Sequence, residues 1–171
     1  MDGIDVHREG LRWAFELLEM VMADVTPELV TWHPPGIANP LGAIYAHAIA
    51  DLDAIINVIL KGGEPLFAGE WQGKTGISEP RWVAELEWAR TVQVDLPAAR
   101  QYAQAMYENA DTYLASLSPE DLDREIDLSA NGLGVQTVSW CLTALVTSHL
   151  NNMAGEISTL KGLQGARGYP F

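Results

Sequence analysis

The chain has 171 residues, 48% of them apolar and 19% charged, enough for one domain with a sizeable core and unlike the composition of a disordered segment. Ten basic against 23 acidic residues leave a net charge of −13, which disfavours a nucleic-acid backbone or an anionic membrane surface as a partner. The single cysteine, Cys141, excludes an internal disulfide and fits a reducing compartment.

The opening residues, Met1 to Glu9, are acidic and lack the apolar stretch of a signal peptide. The most apolar run, Leu41 to Ala50, stops at Asp51, short of the roughly 18 residues a membrane span requires. A soluble, cytoplasmic, single-domain protein spanning residues 1–171 is the expectation.

Helical spacing first appears from about Asp5 to Val25, with Asp5 as N-cap and Leu11, Phe15, Leu18, Met22 and Val25 recurring every three or four residues. Thr26-Pro27 and then His33-Pro34-Pro35-Gly36 interrupt it. A second helix is expected from Asn39-Pro40 to about Lys61, stopped by Gly62-Gly63. Ile44, His47, Asp51, Ile55 and Val58 form one stripe on it, and Leu41, Tyr45, Ile49, Leu52, Ile56 and Ile59 fill most of the rest. A helix apolar nearly all round is the centre of a bundle or part of a subunit interface.

Glycines and Pro65 mark residues 64–95 as a long irregular connection, broken by a short helix starting at Ser78-Glu79-Pro80 and carrying Trp82, Leu86 and Trp88. A third helix is expected over Leu96 to Leu117, with Ala99, Ala103, Met106, Ala110, Tyr113 and Leu117 facing inward. Arg124 to Leu128 alternates weakly, as a strand would, before the turn signals Asn131-Gly132 and Gly134. The fourth helix, about Gln136 to Leu163, carries the stripe Val138, Leu142, Leu145, His149, Met153, Glu156 and Leu160. Four long helices joined by irregular loops predict an all-α, up-down type four-helix bundle.

The histidines separate by context. His7 lies in a polar first turn and His33 in a Pro-rich loop, where surface or local packing roles suffice. His47 and His149 lie instead on apolar helix seams, where an unsatisfied imidazole costs about 1–3 kcal/mol, so each needs a partner. Asp51, one turn after His47, and Asn152 and Glu156 near His149 serve as core hydrogen-bond partners in one reading. In the other, the two histidines hold a metal between facing helices. Trp71, Trp82 and Trp88 pack the core or wall a ligand cleft, with Trp82, Trp88 and Asn152 as the candidate pocket residues. Cys141 lies too far along the helix from His149 to form a nucleophile–base pair, and Ser148 points to a different helical face from its neighbour.

The stretch Trp32-His33-Pro34-Pro35-Gly36, with Asn39-Pro40-Leu41-Gly42 leading to His47, resembles the opening of DinB-like (YfiT-like) proteins. Ser148-His149 through Met153-Ala154-Gly155-Glu156 resembles the second signature of the same family, and order and separation agree over nearly the whole chain. The resemblance implies a four-helix bundle, often a homodimer, with a divalent metal such as zinc or nickel in an interhelical cleft. It implies a metal-dependent hydrolase, or a transferase taking a thiol cosubstrate such as mycothiol, bacillithiol or glutathione. His47 and His149 match two of the family's ligand histidines, but Met153 stands where the third belongs. A thioether suits soft ions rather than Zn²⁺ or Ni²⁺, so Met153, Asp51 and Glu156 are the alternative third ligands. The alternative function is a non-catalytic bundle that binds or senses a small molecule and has lost the metal.

Overall fold

The computed structural model describes residues 2–171. Helix α1 spans Gly3–Met22, capped by Asp2 rather than Asp5. The two side chains cap each other's backbone N–H, so Asp5 supports the helix start from inside its first turn. A short α2, Pro27–Thr31, has Thr26 as cap and Pro27 in the first turn. Helix α3, Leu41–Ala54, continues without a break into a π-helical segment, Ile55–Leu60.

Gly42 sits where α2 crosses the start of α3. A Cβ there would lie 2.8 Å from Val30 Cγ1 and 2.9 Å from Val30 O, so a side chain would force the two helices apart. The continuous Leu41–Leu60 helix is long and apolar enough to cross a membrane, which the run ending at Asp51 did not suggest. Seventy-eight per cent of its most apolar 18-residue stretch is buried inside the fold, so it is the core helix.

After α3 the chain wanders through residues 61–95, and buried Asp53 ties this segment down. Its carboxylate accepts the backbone N–H of Leu66 and Phe67, the Asn57 amide, and the Tyr102 hydroxyl at 2.5 Å. No helix starts at Ser78-Glu79-Pro80; α4 runs only over Leu86–Thr91 and leaves Trp82 in the irregular segment before it. Trp88 is 3% exposed, with its indole N–H donating to Glu79 O.

Helix α5, Leu96–Ser116, is capped by Asp95 and fully buries Leu114, with the expected Tyr113 and Leu117 half-buried against the same core. An antiparallel hairpin follows, β1 (Glu125–Asp127) with β2 (Val135–Thr137), pairing Ile126 with Gln136. The last long helix covers residues 138–163 as α6 (Val138–Cys141), a π-helical stretch (Leu142–Thr147) and α7 (Ser148–Leu163).

Helix directions follow from named contacts. His7 meets Ser139 and Val21 meets Lys161, so α1 and α7 run parallel. Arg8 meets Asp111, Phe15 stacks on Tyr107 and Arg100 reaches Met22 O, so α1 and α5 run antiparallel. Helix α3 opposes α7, because Ile44 shares a cavity with Met153 and Asp51 shares one with Leu145. The four long helices therefore run up, down, down, up, and the long 61–95 connection returns the chain to the end from which α3 started. One apolar cluster, reaching from Leu11 to Leu160, fills the interior.

Candidate functional site

The opposed directions of α3 and α7 bring His47 and His149 together on their shared seam. The imidazole centroids are 4.9 Å apart and the rings stand edge to face at 87°. Asp51, one turn along α3, places Oδ2 3.6 Å from His149 Nε2, just beyond hydrogen-bond reach. His47 Nδ1 and His149 Nε2 are buried and have no hydrogen-bond partner among the described residues. The core-partner reading of these histidines is therefore unsatisfied at two nitrogens.

Burial governs the charge state of all three groups. It pushes His47 down to about 4, with repulsion from His149 adding to the effect and only a hydrogen bond with the Trp82 main chain favouring the charged ring. It also lowers His149 and raises Asp51 to about 7. No pH then leaves His149 and Asp51 both mostly charged, so their approach is not an ion pair.

The site has a cavity on each side. At the Asp51 end is a pocket of ≈ 190 Å³, walled by Ile55 and Ile59 of one π segment, Leu145 of the other, Leu128, Asn131 and Leu133 from the hairpin region, and Trp82 and Val83. At the other end an open groove of ≈ 990 Å³ runs past Ile44, Asn152, Met153, Glu156 and Tyr169. Both π segments adjoin the site, and a π turn widens a helix locally, a feature common near functional positions.

The pocket residues named from sequence scatter. Trp82 lines the small pocket, Asn152 lines the large groove, and Trp88 is in the core. Met153 and Glu156 line the large groove. Leu128, Asn131 and Leu133 were not foreseen as site residues; the turn signal at Asn131-Gly132 marks their segment but not its destination. His7 is half-buried with its Nε2 2.9 Å from Ser139 Oγ, and His33 lines a separate cleft near Arg90. Cys141 is fully buried, which pushes its thiol up and keeps it unreactive, and Ser148 is exposed.

As a metal centre the donor set is short. Among the described residues no group of three His, Cys, Asp or Glu side chains is placed to hold an ion. Two imidazoles and a carboxyl group beside only one of them fall below the three ligands of a catalytic zinc site, and the Met153 thioether does not replace a third nitrogen. The residues present therefore do not fit a resident Zn²⁺ or Ni²⁺.

An antiparallel α3–α7 seam with an opposed histidine pair, inside an up-down-down-up helical bundle, defines the class of protein. The description of the DinB superfamily matches residues 11–154, and the chain belongs to that family. Its fold is similar to a crystal structure of a conserved protein from Enterococcus faecalis, with a TM-score of 0.80 and 21% identity over 95% of this chain and 97% of that one. No curated protein matches the chain.

Proposed function

We propose that this chain is a non-catalytic small-molecule-binding member of the DinB superfamily, with its site on the α3–α7 seam around His47, Asp51 and His149. The observation that carries the reading is the pair of orphaned buried nitrogens, His47 Nδ1 and His149 Nε2, beside Asp51, which lines an apolar pocket. Buried polar atoms without partners cost stability, and a bound molecule offering a donor or acceptor offsets that cost. The same two nitrogens favour a second reading, a hydrolase or thiol transferase in which a divalent ion recruits both imidazoles and a ligand from outside the three residues.

Metal content separates the two. Untagged wild-type protein, analysed by plasma mass spectrometry beside Met153→His, should hold far less than one zinc or nickel per chain, while the variant gains metal. A chelator should leave the wild-type melting temperature unchanged, because a ligand that binds only the folded state raises it. Stoichiometric metal in the wild type, lost in His47→Ala and His149→Ala, would overturn the binding-bundle reading.

A further inference from the structure

The ≈ 190 Å³ pocket next to the histidine pair has an uneven chemistry. Its walls are mainly aliphatic, from Ile55, Leu128, Leu133 and Leu145, with Asn131 at one side and the carboxyl group of Asp51 as the one acidic group. On its rim Trp82 is 40% exposed and Val83 59% exposed, so the mouth presents apolar surface to water. The Asp51 side chain is only 17% exposed.

Among the described residues no lysine or arginine forms an ion pair with Asp51; the basic group beside it is His149, 3.6 Å away, whose own burial favours the neutral ring. A carboxylate in such a position lacks the cation that normally accompanies a buried charge. Trp82 lines the same pocket and offers an aromatic face to an apolar group. A protein surface carrying −13 raises the local concentration of cations and depletes anions. Size narrows the choice further. A cavity of about 150 Å³ accommodates benzene, so this pocket holds a single ring or branched alkyl group with a short polar head.

The geometry points to a compact organic amine as the ligand: we propose that its apolar body fills the aliphatic pocket against Trp82 while its ammonium group donates hydrogen bonds to the Asp51 carboxylate. This assignment deepens the binding-bundle reading and rests on it.

Three probes of nearly equal shape test it by isothermal titration calorimetry on the full chain at pH 8: benzylamine, benzyl alcohol and benzoate. Benzylamine should bind at least about tenfold more tightly than benzyl alcohol, as a charge-assisted hydrogen bond predicts, and benzoate should not bind. Asp51→Asn, which keeps the side-chain shape, should erase the preference for amine and leave benzyl alcohol binding in place. Leu133→Arg, at a rim position 39% exposed, introduces a competing cation at the mouth and should also abolish amine binding without disturbing the core. Circular dichroism confirms that both variants are folded. Benzyl alcohol binding as tightly as the amine, or an amine preference that survives Asp51→Asn, would overturn the ligand class but leave the pocket as a binding site. Failure of all three probes to bind at millimolar concentration would overturn the pocket assignment itself. Neither result touches metal content, which decides the underlying reading separately.

Discussion

Replacing Asp51 by asparagine should change how stability depends on pH. Burial raises the Asp51 carboxyl from its ordinary 3.8 to about 7, so the folded protein keeps a proton that the unfolded chain has already released. Between those two values the folded state binds more protons, and stability falls as pH rises; above the folded value the loss is complete. At about 1.4 kcal/mol for each pH unit between them, the part lost from pH 4.5 to 7.5 is about 3 kcal/mol. His47 acts in the opposite sense. It is pushed from 6.5 down to about 4, so the unfolded chain binds the extra proton and stability falls as pH drops through that interval. His149, also lowered by burial, adds to the His47 slope.

In the wild type these slopes oppose one another, and Asp51→Asn removes only the carboxyl contribution. The stability of the variant minus that of the wild type should therefore climb by about 3 kcal/mol from pH 4.5 to 7.5. Urea unfolding followed by circular dichroism at half-unit pH steps measures this, with the slope on urea compared between proteins to confirm the same unfolding transition. Taking the difference cancels every titrating group the two proteins share. A difference that stays flat, or that falls as pH rises, would refute burial as the cause of the raised carboxyl and with it the picture of Asp51 as an uncompensated acid.

Three other substitutions probe the frame around the site. Asp53→Ala strands the Tyr102 hydroxyl and the Asn57 amide and releases the Leu66 and Phe67 amides, and should cost about 3 kcal/mol in urea unfolding. Hydrogen exchange at Leu66 and Phe67 should accelerate first; unchanged exchange there would contradict the anchoring role. Gly42→Ala drives a Cβ to within 2.8 Å of Val30 Cγ1 and should destabilise by about 1–3 kcal/mol, whereas an unchanged melting temperature would mean that α2 moves freely over α3. Lys161 is 1% exposed and donates to Val21 O at 2.7 Å, to Asp24 Oδ1 and to Gly168 O, so it joins α7, the end of α1 and the C-terminal tail. Lys161→Met should cost about 1–3 kcal/mol and speed tryptic cleavage at Arg167; cleavage at the wild-type rate would show that the tail is held by other contacts.

Much of the helical frame was readable because it rests on local chemistry. The Pro40 start, the Gly62-Gly63 stop and the Asp95-Leu96-Pro97 entry into α5 each leave a signal within a few residues. What the spacing missed lies where a tertiary contact overrides it. Ser78-Glu79-Pro80 has the form of a helix start, but Ser78 instead pairs with Gln93: its N–H donates to Gln93 O, and its hydroxyl accepts from Gln93 N–H. That pairing holds the segment extended, so Trp82 reaches the rim of a pocket rather than the face of a helix. The direction of α5 was equally hidden, because nothing local to residues 61–95 states at which end of the bundle the chain re-enters.

The site shows the same division between local pattern and assembled geometry. His47, Asp51, His149 and Met153 all lie on apolar stripes, and the family resemblance matched His47 and His149 to ligand histidines with Met153 at the third position. An α-helical stripe, however, assumes 3.6 residues per turn, and a π turn absorbs one extra residue, rotating the next part of the helix by roughly 100°. Both site helices contain such a segment, Ile55–Leu60 just after Asp51 and Leu142–Thr147 just before His149. Ile55, Ile59 and Leu145 of those segments line the small pocket, Ile59 although the spacing put it on the other stripe of its helix. The opposed chain directions decide the rest. Met153 sits four residues after His149, and on an antiparallel partner that step leads towards Ile44, away from Asp51. Asp51 and the residue at the third ligand position therefore border different cavities. An amine at the Asp51 end requires neither Met153 nor Glu156.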